Sequence, residues 1–137
     1  MRVEHVTFAD NHADYGPAIF RGSSGTVTLT DTIFSNNTTD NEFSAVACHD
    51  TFEDGGGNVQ WPDVKNNGNA DTPCAASILF EDPRLEPLAE QGGATPTMAL
   101  PEDSPAVDRA VRCEEPDQRG VERASPCDSG AFERASP

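Results

Sequence analysis

The sequence has 137 residues, of which 24 are Asp or Glu and 9 are Lys or Arg, so its formal charge is −15. This length corresponds to a single domain, but only 35% of the residues are hydrophobic, which favours a thin, repetitive core over a large globular one. The acidic balance excludes nucleic acid as a partner, because neutralising phosphates requires a basic surface. No stretch approaches the roughly 20 apolar residues of a membrane-spanning helix, so membrane insertion is not expected.

Residues 1–72 contain an internal repeat. Sliding the sequence by 26 positions places Phe8 on Phe34, and a further shift of 30 carries Phe34 to Val64. Each unit holds short β-prone runs separated by Gly, Asn, Asp and Ser, which tolerate the backbone of tight bends. Helix-free units of this length are typical of a solenoid of parallel strands. Because the chain starts inside the first unit, we expect it to be part of a longer protein.

Three asparagines occupy corresponding positions in these units: Asn11, Asn37 and Asn67. An Asn amide at a bend can bond the equivalent Asn of the next unit, about 4.8 Å away. The sequence therefore predicts a structural Asn ladder. The functional alternative is a polar row that binds a ligand or ice.

Residues 73–137 differ in character from the preceding part of the chain. They contain 9 of the 11 prolines and show no repeat, yet apolar residues recur at short intervals. A disordered acidic tail would lack such anchors. We expect extended chain pinned to the solenoid as a cap, because an uncovered row of backbone N–H and C=O groups invites edge-to-edge association. The two parts are predicted to form one structural unit.

Four cysteines, Cys48, Cys74, Cys113 and Cys127, fit neither a CxxC motif nor a Cys/His metal site. Three disulfide pairings are open, and sequence proximity favours Cys48–Cys74 and Cys113–Cys127. Disulfides indicate a location outside the reducing cytosol. The predicted location is therefore extracellular or at a cell surface.

The C-terminal half carries a series of motifs that resembles a known family. In order these are Asp82-Pro83-Arg84-Leu85, Gly92-Gly93-Ala94-Thr95-Pro96-Thr97-Met98-Ala99-Leu100, Ser104-Pro105-Ala106-Val107-Asp108, Asp117-Gln118-Arg119-Gly120 and Cys127-Asp128-Ser129-Gly130-Ala131-Phe132-Glu133. Residues 80–133 are similar to the choice-of-anchor Q domain of bacterial surface proteins. The resemblance implies a secreted or surface-displayed bacterial protein without a known catalytic role. It also implies that the fold is all-β, a right-handed parallel β-helix with a disulfide-pinned, proline-rich C-terminal cap.

The motifs themselves favour structural roles. Asp117 and Arg119, together with Glu133 or Asp128, are predicted to form buried bidentate ion pairs that lock the cap to the solenoid. The alternative is an arginine that binds substrate.

An acidic cluster precedes three consecutive glycines. Asp50, Glu53 and Asp54 supply oxygen ligands of the kind that Ca²⁺ prefers, although their spacing is not that of an EF-hand. A calcium site and an acidic surface loop are the two interpretations. No phosphate-binding or dinucleotide-binding motif is present, and no other cofactor is predicted.

These observations predict a non-catalytic extracellular module for surface display, adhesion or glycan contact. Its expected partners are polysaccharide, a host or neighbouring cell surface, and a second copy bound through the open N-terminal end of the solenoid. The alternative is a fragment of a polysaccharide lyase or glycoside hydrolase, whose acidic residues by type would be Asp10, Asp14, Asp31, Asp40 and Glu42. Most of these lie in turn-like contexts, where Asp is common in any case, so no catalytic residue is assigned.

Overall fold

The computed structural model describes residues 1–135. Its regular elements are seven short strands: β1 Arg2–Glu4, β2 Thr7–Ala9, β3 Thr28–Thr30, β4 Ile33–Ser35, β5 Glu53–Gly56, β6 Val59–Trp61 and β7 Leu79–Phe80. The described residues form no helix, and hence none of the length and apolar character that crossing a bilayer requires.

The strands form two parallel sheets. One has the order β1-β3-β5 and the other has the order β2-β4-β6-β7. The 26-residue offset is confirmed for the first pairs, because Phe8 lies opposite Phe34. The 30-residue shift is wrong, since Phe34 lies opposite Gln60 and Leu29 lies opposite Asp54. Pairing also continues past residue 73, because β7 adds to β6.

The predicted right-handed parallel β-helix with a proline-rich cap is wrong. The described residues form two small parallel sheets of three and four strands, and no solenoid is seen. The strands have only two to four residues each, and the register shifts between Leu29 and Thr30 where β3 meets β5. Residues 62–78 contribute an antiparallel bridge between Val64 and Ala70 instead of another matching strand. Local repetition is therefore present, but it does not extend into regular complete coils.

The apolar residues form two clusters on opposite faces of the four-stranded sheet. Successive side chains of a strand point to opposite faces, so Phe34 joins the first cluster and Ile33 joins the second. The first cluster lies between the two sheets, where the ring of Phe34 stacks on that of Phe8 with centroids 5.3 Å apart. In the second cluster, Ile33 and its neighbours on the sheet contact Phe132 and other residues of the C-terminal half.

Residues 81–135, called here the C-terminal segment, contain no strand but lie against the four-stranded sheet. The Gly130 N–H donates to the Asp31 carbonyl over 2.7 Å, and the Ser129 hydroxyl donates to the Gly57 carbonyl over 2.6 Å. Gly130 has φ +88°, and a Cβ there would lie 2.6 Å from Ile33 Cδ1. Only glycine therefore permits this close approach.

Both disulfides favoured by sequence proximity are present, Cys48–Cys74 and Cys113–Cys127. The first joins two segments of residues 1–80, called here the strand-bearing half, and the second lies within the C-terminal segment. Two disulfides in a chain of this size indicate an oxidising environment.

Candidate functional site

The most deeply buried cation of the described chain is Arg123, which the sequence did not single out. Its side chain is fully buried and donates to Glu133 Oε2 over 3.0 Å. It also donates to the carbonyls of Asp128 and Gly130 over 2.9 and 2.7 Å. Burial raises the pKa of Glu133 above its ordinary value, although Arg123 opposes the shift. The Arg123 guanidinium thus supplies hydrogen-bond donors to two backbone carbonyls that have no neighbouring strand to pair with.

Asp117 and Arg119 form a second ion pair in the C-terminal segment. Arg119 Nε and Nη2 donate to Asp117 Oδ2 over 2.9 and 2.7 Å, and the guanidinium lies 3.7 Å from the ring centroid of Phe132. Arg119 also donates to the Glu133 carbonyl, whereas the Glu133 carboxylate binds Arg123. Burial alone raises the pKa of Asp117, but the hydrogen bonds from Glu133 and Arg119 outweigh it, so the pKa lies below its ordinary value.

These two ion pairs brace the C-terminal segment internally. The sequence placed Asp117, Arg119 and Glu133 in one cluster, and the structure brings all three together. Neither pair connects this segment to the sheets; among the contacts that do, those of the Asp31 carboxylate join two backbone N–H groups of the segment.

Asp31 is fully buried at the corner between β3 and β4, with φ +51°. Its Oδ1 accepts from the Val111 N–H over 2.7 Å, and its Oδ2 accepts from the Arg112 N–H over 3.0 Å. His5 Nε2 lies 2.8 Å from the Arg112 carbonyl and 3.5 Å from Asp31 Oδ2. Burial raises the pKa of Asp31 despite these two bonds. Burial, followed by the charge of Arg123, lowers the pKa of His5.

A cleft of about 400 Å³ lies beside His5 and is lined by charged groups of both signs, among them Arg2, Glu4, Arg112 and Glu114. Arg2 pairs with Glu4 over 2.8 Å, so the charges of these two side chains largely neutralise each other. Among residues 1–135, no group of three or more His, Cys, Asp or Glu side chains is arranged to hold a metal ion.

The three acidic residues considered as calcium ligands each contact different groups. Asp50 pairs with Arg21 over 3.2 Å, and Glu53 accepts from the Thr28 hydroxyl over 3.1 Å. Asp54 accepts from the N–H groups of Gly56 and Ser77. Each carboxylate thus has a structural partner of its own.

Two of the three predicted ladder asparagines are in contact. Asn11 Nδ2 donates to Asn37 Oδ1 over 2.9 Å, and Asn37 Nδ2 donates to the Phe8 carbonyl over 2.9 Å. Asn67 accepts from the Asn69 N–H within its own turn. The register of β4 and β6 is offset by 26 residues, so Asn37 corresponds to Asp63 and not to Asn67, and Asn66 donates to the Thr39 carbonyl.

The acidic residues considered for hydrolysis do not share one environment. Asp31 is buried and bonded to backbone, whereas Asp10, Asp14, Asp40 and Glu42 are exposed. His12 Nε2 lies 3.5 Å from Asp40.

Exposed aromatic residues line a groove of about 220 Å³ on the strand-bearing half. Phe43 is 72% exposed and Tyr15 is 56% exposed, and His49 and Lys65 also line the groove. We call this feature the aromatic groove; its remaining lining residues are Asn41, Ser44, Ala45 and Thr72. No motif in the sequence predicted this groove. The available signal was that both aromatic residues occur beside turn residues, where burial is not expected.

Compared with protein-family models, with curated proteins and with solved structures, the chain gives no match.

Proposed function

We propose that the protein is a non-catalytic extracellular module that contacts neutral polysaccharide through the aromatic groove. The observation that carries this proposal is the exposure of Tyr15 and Phe43 along one concave surface that also presents polar groups. Large exposed apolar groups that line a concavity are more informative than scattered ones, because they mark sites of interaction.

The chemistry of the groove suits a sugar. A pyranose ring has an apolar face of C–H groups that packs on an aromatic ring, and hydroxyls at its rim that need hydrogen-bond partners. Tyr15 and Phe43 supply the aromatic surface, and Asn41, Lys65 and Thr72 supply polar groups at its edge. The groove is smaller than the roughly 300–1,000 Å³ typical of drug-sized ligands, which suits one sugar unit of a longer chain.

The net charge narrows the class of polysaccharide. A protein of charge −15 repels acidic glycans over the distances at which electrostatic steering acts. The groove contains one lysine and no carboxylate among its lining residues. These features favour a neutral glycan.

The walls of the groove are held in place before any ligand binds. The Phe43 N–H donates to Asn41 Oδ1 over 3.0 Å, and the Val46 N–H donates to the buried Asp71 over 3.0 Å. The Cys48–Cys74 disulfide lies next to His49 in the chain. A preorganised site loses less conformational entropy on binding. The disulfides and the resemblance of residues 80–133 to a surface-protein domain support an extracellular display role.

Binding to an array of neutral and acidic polysaccharides tests this proposal. We expect a neutral glycan to bind, and Tyr15→Ala and Phe43→Ala each to weaken binding by about tenfold, which corresponds to about 1.4 kcal/mol. Leu88→Ala is the matched control, because Leu88 is 60% exposed and lies outside the groove.

Three results would overturn the proposal: no binding to any glycan, binding that both aromatic variants leave unchanged, or turnover of a polysaccharide. Turnover would support the alternative of a lyase or hydrolase fragment.

A further inference from the structure

An exposed aromatic residue adjoins the aromatic groove. His49, which lines the groove, is in ring contact with Phe20, and the two ring centroids lie 4.7 Å apart. Phe20 is 56% exposed and is not itself a lining residue of the groove. A Cβ on Gly16 would lie only 3.1 Å from His49 Cβ, so the chain that follows Tyr15 passes directly beside His49. Tyr15, His49 and Phe20 therefore form one continuous surface.

The local pairing of the backbone makes Phe20 and His49 point outward. Ile19 and Cys48 form a parallel bridge, and the His49 N–H donates to the Ile19 carbonyl over 3.0 Å. Ile19 and Cys48 both belong to the core. Because successive side chains of paired extended chain point to opposite faces, the residues that follow them lie side by side on the outer face. The exposure of Phe20 thus follows from the inward position of Ile19.

Polar groups lie next to this ring pair along the chain. Arg21 and Asp50 directly follow Phe20 and His49, and Arg21 Nη2 donates to Asp50 Oδ2 over 3.2 Å. Arg21 Nη1 also donates to the Gly25 carbonyl over 3.0 Å. Both side chains of the ion pair are 38% exposed, so they present donors and acceptors to a ligand. Because their charges oppose each other, the pair suits the hydroxyls of a neutral sugar better than an ionic group.

The orientation of the two rings limits the form of glycan that can contact both. The planes of Phe20 and His49 are inclined by 42°. Two rings inclined in this way cannot both lie flat against one planar surface, such as the face of a crystalline polysaccharide. A single chain whose successive sugar rings are tilted can follow them. The geometry therefore favours a soluble chain over a crystalline surface.

We propose that the glycan-binding site extends from the aromatic groove over His49 to Phe20, so that it holds at least two consecutive sugar units of one soluble, neutral polysaccharide chain. One unit packs in the groove, and the next packs on Phe20 with its hydroxyls at Arg21 and Asp50. This inference rests on the proposed function of the groove. It adds that recognition depends on the length of the glycan, because a single sugar contacts only one of the two surfaces.

Binding as a function of oligosaccharide length tests the inference. The probes are size-fractionated oligosaccharides of one to six sugar units, prepared from each neutral polysaccharide of the array. NMR titration of the protein measures their dissociation constants. We expect the tetrasaccharide to bind at least about tenfold more tightly than the single sugar, a gain of about 1.4 kcal/mol.

Variants locate the second sugar unit. Phe20→Ala should weaken binding of the tetrasaccharide by about tenfold and leave binding of the single sugar unchanged. Tyr15→Ala should weaken the binding of both. Phe20→Tyr keeps an aromatic ring and should bind the tetrasaccharide as tightly as the wild type, to within about threefold. Val111→Ala is the matched control, because Val111 is 60% exposed and does not line the groove.

The outcomes separate this inference from the proposed function. Equal affinity for the single sugar and the tetrasaccharide overturns the extended site and leaves the proposed function intact. The same holds if Phe20→Ala binds the tetrasaccharide like the wild type. Stronger retention on crystalline particles than on the soluble chain of the same polysaccharide overturns the tilted arrangement of the sugars. Absence of binding to every glycan overturns the proposed function and this inference together.

Discussion

The strand-bearing half and the C-terminal segment satisfy their buried backbone groups in different ways. In residues 1–80, parallel strands bond to one another, so the donors and acceptors are mostly main-chain atoms. In residues 81–135, individual side chains replace the missing strand partners. Asp117 accepts from three N–H groups, and Arg123 donates to two carbonyls. The two halves are therefore unequally sensitive to substitution.

The difference follows from what a substitution removes. A strand keeps its ladder when a surface side chain is changed, because the ladder does not depend on side-chain identity. A side chain that bonds several buried backbone groups leaves all of them unpaired when it is lost, and each unpaired group costs about 1–3 kcal/mol. The comparison predicts that single polar substitutions destabilise the C-terminal segment more than the strand-bearing half.

The largest effect is expected for Arg123→Met. The change leaves the buried Glu133 carboxylate without its partner, and breaking a buried ion pair in this way costs about 3–5 kcal/mol. Chemical denaturation measures the loss in the free energy of unfolding. Arg21→Met is the control in the strand-bearing half, where the pair with Asp50 is 38% exposed on both sides and is worth at most about 1 kcal/mol. Equal losses for the two variants would remove the distinction between the halves.

An intermediate effect is expected for Asp31→Ala, which removes the acceptor for two N–H groups of the C-terminal segment. Both N–H groups belong to exposed residues, so the lower part of the cost of an unpaired donor applies, about 1–2 kcal/mol each, and the free energy of unfolding should fall by about 2–4 kcal/mol. Amide exchange at Val111 and Arg112 should accelerate more than exchange in the strands.

The matched control for this variant is Asp54→Ala. Asp54 also accepts from two N–H groups, but it is less buried, so water replaces the lost acceptor. A larger loss for Asp54→Ala than for Asp31→Ala would contradict the importance of the Asp31 junction.

The smallest effect concerns pH and His5, at the junction of the two regions. Burial and the charge of Arg123 lower the pKa of His5, so the folded protein resists its protonation. The unfolded chain takes up this proton near its ordinary pKa of about 6.5, and the free energy of unfolding therefore falls as the pH drops below that value. The wild type should lose more stability than His5→Asn between pH 7.5 and pH 5.5.

Several carboxyl groups change the free energy of unfolding in the opposite direction as the pH falls. The effect of His5 must therefore be measured as a difference from the His5→Asn variant. Burial raises the pKa values of Asp31, Asp71 and Glu133, so the folded state takes up these protons before the unfolded chain does, and their contribution to stability increases as the pH falls toward the raised pKa values. The difference between wild type and His5→Asn isolates the imidazole. An identical slope in both proteins would show that His5 does not titrate differently on unfolding.

The sequence predicted the local repetition better than the overall architecture. The pairing of Phe8 with Phe34 could be predicted because both residues are apolar and their surroundings match. The next pairing was missed because Gln60 takes the corresponding position, where its amide donates to Asp71 and accepts from the Cys74 N–H. A buried polar residue with specific partners breaks an apolar pattern without breaking the strand.

No pattern in the sequence indicated the structural roles of Asp31 and Arg123. Asp31 bonds to residues 80 and 81 positions away, and such contacts leave no period in the sequence. The Asp117–Arg119 contact was accessible to prediction because its partners are two residues apart. Whether Tyr15 and Phe43 lie on the surface or in the core also depends on tertiary packing. Neighbouring turn residues in the sequence indicate exposure but do not determine it.

The contacts of Ser129 with Gly57 and of Ala131 with Thr7, across 72 and 124 positions, have a consequence for the order of assembly. Closing such long loops is entropically costly until the surface that receives them exists. A chain that emerges from its N-terminus can form its sheets while the outer face of Ile33 and Val59 is still bare, because Phe132, which covers that face, emerges more than 70 residues after Val59. We therefore expect the nascent protein to be most prone to capture by chaperones or proteases just before residues 129–132 emerge.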